Sequence, residues 1–268
     1  MNKTTKGLIY FLLPVAIIIV AMMVNKWLGI AALLVYIAVL IYLLRPAIYT
    51  FIGTRKYAQG NTEQATHLFG RAYATGRASV RAAVSYAYIL LKNEDLKKSE
   101  EILQKLIKDN QRSPQLPYIK SIMALVLWKK GNLDEAAIMQ EEVVKTYKTT
   151  SVYGSLGYLL ILQGDLEKAL KVNLEAYEFN SSDNIINDNL GQNYLLLGMY
   201  DKATEIYEPL LAKAPTFPEP YYNYALVLDK LGDREKALET MKKALDCKFS
   251  YLSTITKEDV EAKIIELS

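Results

Sequence analysis

Cysteine and histidine are nearly absent from this chain of 268 residues, where Cys247 and His67 each stand alone. A single cysteine excludes an intramolecular disulfide and a cysteine-rich metal site, and it fits a reducing compartment. His67, between Thr66 and Leu68, has no second His or Cys near it in sequence, so neither a metal site nor a catalytic pair can be built around it. No Gly-Lys-Ser phosphate loop, no Gly-x-Ser-x-Gly elbow and no dinucleotide fingerprint occurs. The chain therefore reads as a non-enzyme, with no cofactor, no catalytic residue and no small-molecule substrate expected. Runs of one charge are missing as well. Net charge is +3, and no basic block of five or more residues supplies a footprint for nucleic acid. Acidic pairs such as Glu141 and Glu142 read as the solvated face of a helix.

Charge is also absent from two stretches near the N-terminus, Leu8 to Val24 and Leu28 to Leu44, separated only by Asn25, Lys26 and Trp27. At 1.5 Å per residue each run makes about 26 Å of helix, against a hydrocarbon core of roughly 30 Å. In lipid the backbone must bond to itself, so both runs predict helices, and residues 1–45 predict a transmembrane hairpin with spans at 8–24 and 28–44. Tyr10 and Tyr42 fall at one interface and Trp27 at the other, where amphipathic rings sit best. Pro14 predicts a kink in the first span. A cleaved signal peptide fits less well, because Met22-Met23-Val24-Asn25 offers no small-x-small cleavage site and a second apolar run follows at once. Lys3, Lys6, Arg45, Arg55 and Lys56 flank one side and Lys26 alone the other. The chain is thus expected in the cytoplasmic membrane as a multi-pass protein, with both termini and the remaining chain cytoplasmic.

Beyond residue 45 one pattern recurs: a small turn, then a helix with a small residue in its second turn. It reads Gly60-Asn61-Thr62-Glu63-Gln64-Ala65, Glu94-Asp95-Leu96-Lys97-Lys98-Ser99, Gly131-Asn132-Leu133-Asp134-Glu135-Ala136, Gly164-Asp165-Leu166-Glu167-Lys168-Ala169, Gly198-Met199-Tyr200-Asp201-Lys202-Ala203 and Gly232-Asp233-Arg234-Glu235-Lys236-Ala237. The turns are 34, 37, 33, 34 and 34 residues apart. Helices this short are marginal alone, so each unit must bury its apolar face on the next. The prediction is all-α: six helix pairs at about 46–79, 80–113, 117–149, 150–183, 184–217 and 218–251, with residues 252–268 as a capping helix. Thr256 with Asp259 three residues on signals the N-terminus of that cap. The long step contains Ser113, Pro114 and Pro117 and predicts a longer loop that leaves the stack intact. Pro46, with fixed φ and no N-H, is expected at the first position of a new helix directly after the second span.

The 34-residue period with Leu190-Gly191, Tyr194, Gly198, Ala203, Tyr207 and Pro215 resembles the tetratricopeptide repeat family. Leu156-Gly157, Gly164, Ala169 and Ala176 match in the unit before, and Ala225, Gly232, Ala237 and Ala244 in the unit after. The resemblance implies a right-handed α-solenoid whose first helices line a concave, partner-binding groove. Carried over position by position, it points to Arg81, Tyr88, Tyr118, Leu125, Trp128, Tyr158, Asp188, Gln192 and Tyr222 as groove residues, with Asn189 and Asn223 placed to bond a ligand backbone. The slots some family members use to clamp a terminal carboxylate hold Val84, Ser121, Gly154 and Tyr222, so that clamp is not expected. Tyrosine, present 20 times, buries a large area with few rotors and keeps a polar tip, which suits recognition.

Two functions are carried forward from the sequence. One is a membrane-tethered scaffold that binds a membrane-proximal protein or peptide in its Tyr-rich groove, in assembly of a membrane-associated complex. The other is an envelope-facing assembly or quality-control component with a chaperone-like role, its solenoid on the outer side of the bilayer. In both, the lipid bilayer is a partner through the N-terminal hairpin.

Overall fold

A computed structural model describes the backbone from Lys3 to Ser268 and the side chains from Leu12 onward. Every regular element among the described residues is helical. Two compact units divide the chain, one ending at Ala83 and the other comprising Val84–Ser268. The first helix pair, expected at 46–79, falls in the unit that also holds the N-terminal helices.

In the first unit, α1 (Lys3–Val24) turns directly into α2 (Lys26–Ala58), with Asn25 as N-cap accepting from the Trp27 N-H at 2.9 Å. The two helices pack against each other, and the approach is close: a Cβ on Gly29 would lie 2.7 Å from the Met22 Cα. Pro46 sits inside α2 rather than at the start of a new helix. Proline removes one donor, which a long helix with good hydrogen bonds on either side can absorb, and the Thr50 hydroxyl donates to the Pro46 carbonyl at 2.7 Å. The second apolar run and the first half of the first pair are therefore one helix. Its C-terminal part packs on α3 (Thr62–Ala74), where Phe69 lies across Gly53. Lys3, Lys6 and Tyr10, used in the orientation argument, have side chains outside the described residues.

The second unit carries the pairs α4 (Val80–Lys92) with α5 (Leu96–Asp109), α6 (Leu116–Lys129) with α7 (Leu133–Thr146), α8 (Thr150–Gln163) with α9 (Leu166–Phe179), α10 (Asn184–Leu196) with α11 (Tyr200–Ala212), and α12 (Glu219–Lys230) with α13 (Arg234–Ala244). The break between units falls within the first turn of α4. The helix α14 (Lys257–Leu267) follows. The predicted turn glycines take left-handed φ values of 74° to 90°, which cost a side-chain-bearing residue strain and cost glycine none. Glu94 fills the same turn at φ 67°. The next residue then caps the second helix: Asp95, Asp165 and Asp233 accept from the N-H groups of Lys98, Lys168 and Lys236. The second-turn small residues Ala136, Ala169, Ala203 and Ala237 are fully buried, as is Ser99, whose hydroxyl donates to the Ala87 carbonyl at 2.8 Å. The loop after α5 is longer, yet α5 still packs on α6. Thr256 and Asp259 form the expected capping box on α14, whose Val260 and Leu267 close the last apolar cluster.

Candidate functional site

The first helix of each pair carries the predicted groove residues, and in the second unit some of them interact along a strip from α6 through α8 and α10 to α12: Trp128 with Tyr158, Tyr158 with the Asp188 carboxyl, and Asp188 with Asn223. Trp128 and Tyr158 make an edge-to-face pair with centroids 5.3 Å apart, a geometry that aromatic quadrupoles favour. Tyr118 lies 6.2 Å from the Tyr147 ring. Leu125 on α6 and Gln192 on α10 are half-buried, as is Tyr88 on α4. Tyr222 is half-buried too, but packs against the apolar cluster that α14 closes. Arg81 is exposed and belongs to the other unit.

Asn189 and Asn223 do not face outward. Both are buried, and each bonds one repeat back: Asn189 Nδ2 donates to the Gly154 carbonyl at 2.7 Å, and Asn223 Nδ2 donates to Asp188 Oδ1 at 3.2 Å. A ligand backbone would have to break those bonds. Buried amides without partners cost more than they return, so these two asparagines are committed to repeat-to-repeat contacts. Asp188 is buried beside them and also accepts from the Tyr207 hydroxyl at 3.2 Å. Burial raises its pKa to about 8, the Glu219 carboxylate pushes it the same way, and the bonds from Asn223 and Tyr207 only partly oppose that.

The sequence reading did not single out Glu219, Lys129 or Tyr251, which the fold places in this strip. Burial raises the Glu219 pKa, against bonds from its own N-H, from Thr254 N-H and from Ser253. The Thr254 N-H donates to Glu219 Oε1 at 3.1 Å. The Lys129 ammonium stands 4.5 Å from the Trp128 ring centroid and 4.6 Å from that of Tyr251, and burial lowers its pKa while Glu94 raises it. The Tyr158 hydroxyl is buried without a hydrogen-bond partner, and burial, then Glu219 and Asp188, hold its pKa well above the usual phenol value. Glu219 occupies the second position of its unit, the same slot as Arg81 and Tyr118, so its place was readable from the alignment. Tyr251 lies in a loop outside the period and carried no such signal. Among the described residues no group of three or more His, Cys, Asp or Glu is arranged to hold a metal ion.

The strip can therefore offer a polypeptide aromatic faces, a partly desolvated ammonium and the half-buried Glu219 carboxyl as an acceptor. A family model described as tetratricopeptide repeat matches residues 53–248. The chain is 26% identical over 142 residues to a BBSome complex member of Bos taurus, covering 53% of this chain and 27% of that protein. It is 26% identical over 122 residues to a TPR repeat-containing protein of Methanocaldococcus jannaschii, covering 45% and 22%. The chain thus spans about a quarter of the length of the curated relatives it matches. Among solved structures, a tetratricopeptide repeat protein from Parabacteroides merdae aligns with TM-score 0.63 at 15% identity, over 84% of both chains. PilW, described as a type IV pilus biogenesis factor, aligns with TM-score 0.62 at 14% identity, over 81% of this chain and 98% of that one. At those identities the likeness is one of fold.

Proposed function

This chain belongs to the tetratricopeptide repeat family, and we propose that it is a membrane-tethered scaffold whose inner strip binds a membrane-proximal protein or peptide during assembly of a membrane-associated complex. The observation that carries the reading is the Trp128–Tyr158 pair, half-buried rings on successive first helices flanked by Lys129 and Glu219. Such rings are the residues that dominate binding energy at interfaces.

Tethering rests on α1 and α2. Among the described residues one helix, Lys26–Ala58, is long and apolar enough to cross a membrane, and the described apolar part of α1, Leu12–Val24, is shorter. Leu34 and Val35 are 61% and 63% exposed, and that much bare aliphatic surface on a helix hairpin favours a lipid surround. We read the pair as a two-span hairpin. Midway along α2, Arg45 lies 4.1 Å and Arg77 5.5 Å from the Tyr42 ring, while Arg71 donates to the Tyr49 hydroxyl at 2.7 Å. Tyrosines favour either interface, and it is the arginines, enriched on the cytoplasmic side of a span, that support a cytoplasmic solenoid.

The test is cross-linked capture of partners from membranes that have been washed with carbonate. The wild-type chain should stay in the pellet and capture a discrete partner, and alanine at Tyr118, Trp128 and Tyr158 should lose it while helicity holds, since buried aromatic anchors cost about 2 kcal/mol or more each when truncated. Capture that survives the triple substitution moves the surface elsewhere. Release by carbonate removes the tether.

A further inference from the structure

The strip is not bare in this structure, because the loop between α13 and α14 lies on it. Its roots are pinned: Lys248 N-H donates to the Thr216 carbonyl at 3.0 Å, and Phe249 and Ile255 pack into the last apolar cluster. Between them Ser250 to Ser253 form a tight turn, closed by Ser253 N-H to the Ser250 carbonyl at 2.9 Å and by Ser250 N-H to Ser253 Oγ at 3.1 Å. The turn holds Tyr251 at its corner, and the ring reaches Lys129 on α6, 122 positions earlier in the chain. One residue past the turn, the Thr254 N-H bonds Glu219 on α12.

Two features set this loop apart from a spacer between a last repeat and its cap. A spacer needs only to reach α14, yet this one projects its tip across to the first helix of a distant pair. It also engages the strip's distinctive groups, the Lys129 ammonium beside Trp128 and the half-buried Glu219 carboxyl. Those two are far from self-sufficient without it, since Lys129 loses a ring face and Glu219 a donor.

We propose that the tip of the 248–256 loop is an intramolecular ligand of the groove, holding the place that a partner takes with a tight turn bearing a tyrosine followed three residues later by a free backbone N-H. Partner binding then requires the tip to lift while Phe249 and Ile255 keep its roots in place. This rests on the groove reading above and adds to it the partner's shape and a built-in competition. Apparent affinity falls by the fraction of molecules with the tip open, so a tip closed about nine-tenths of the time weakens partner binding about tenfold.

The probe is a fluorescent head-to-tail cyclic peptide carrying residues 248–257, which keeps the turn preorganised, titrated against the full chain in nanodiscs by anisotropy. Tyr251→Ala should bind it about tenfold tighter than wild type, and adding Trp128→Ala should reverse the gain. Amide exchange over 250–256 should be slow in wild type and fast in Tyr251→Ala. Lys129→Ala, on the opposite wall with the loop sequence intact, should speed it likewise, so the proposal stands to be judged even if Tyr251→Ala folds poorly. Equal probe affinity in wild type and Tyr251→Ala, or fast exchange in wild type, overturns the competition and leaves the groove reading standing. Tight binding that survives Trp128→Ala, or no binding to any folded variant, overturns both.

Discussion

Replacing Asp188 by Asn should make the protein more stable at alkaline pH and leave it nearly unchanged in acid. Asp188 Oδ1 accepts from Tyr207 and Asn223, and an asparagine oxygen can accept both bonds without ever ionising. In the folded chain burial raises the Asp188 pKa from 3.8 to about 8. Below the unfolded value both states hold the proton and the carboxyl carries no penalty. From there to about 8 the unfolded chain is ionised while the native one keeps its proton, so wild-type stability falls as pH rises through that window and levels off above it. At 1.36 kcal/mol per pKa unit, a shift of about four units sets a ceiling of about 6 kcal/mol. Relaxation and water penetration around a buried charge bring the measurable part to about 2 kcal/mol. The measurement is unfolding of the full chain at pH 4.5, 6, 7.5 and 9 in a Trp27→Phe background, which leaves Trp128, beside Tyr158, as the sole tryptophan reporter. The stability difference between Asp188→Asn and its parent should grow with pH and saturate near 9. A difference that is flat with pH would show that Asp188 does not titrate in this window and would refute the assignment of a neutral buried acid.

Two further substitutions test the repeat geometry. Glu94→Gly should stabilise the protein by about 0.5–1 kcal/mol, because φ 67° strains a glutamate and suits glycine, with part of the gain offset by glycine's looser unfolded chain; an unchanged midpoint in chemical unfolding counts against strain at that turn. Gly191→Ala should destabilise by about 2 kcal/mol, since its Cβ would fall 2.6 Å from the Tyr207 Cζ, and the ring cannot retreat without dropping its bond to Asp188; a neutral result would show that α10 and α11 can slide apart.

Much of the helix-pair architecture is legible because it rests on local chemistry repeated at a fixed interval. Left-handed glycine, capping aspartate and second-turn alanine each act within one unit, and a period of 34 exposes them. Even the irregular second turn follows: Glu94 and Ser99 stand where Gly and Ala are usual, and the fold pays for them with a strained φ and a hydroxyl bond to Ala87. Pro46 misled because a proline rule weighs one lost hydrogen bond, whereas a 33-residue helix weighs the many it keeps. Asn189 and Asn223 misled for a different reason. Position within a unit tells which helix face a side chain occupies, but whether that face meets a ligand or the preceding repeat depends on side-chain length and reach. Their recurrence at the same slot, 34 residues apart, was the available signal: a feature that repeats with the period serves the stacking that repeats with it. The loop at 248–256 lies outside the period, so nothing in the repeat could place it.

The same asparagines bear on why the strip holds its shape. Apolar faces packed between successive pairs tolerate sliding, because dispersion contacts are nondirectional and one leucine contact resembles another. A buried amide does not tolerate it, since a shift of one residue leaves it unpaired at a cost of about 1–3 kcal/mol. Between α8 and α10 that constraint is Asn189 on the Gly154 carbonyl, and between α10 and α12 it is Asn223 on Asp188. A third lies deeper, where Asn173 Nδ2 donates to Asn193 Oδ1 at 3.1 Å and Asn193 Nδ2 to the Leu166 carbonyl at 3.1 Å, next to Gly157, which has no side chain to collide with the Asn173 amide. These bonds fix the register of the helices that present Tyr158 and Glu219. The Tyr158 hydroxyl, buried and without a partner, is kept where it is by neighbours that cannot slide. Stability alone would be served as well by leucine at several of these positions. What the polar bonds add is a defined spacing between the Tyr158 ring and the carboxyls of Asp188 and Glu219.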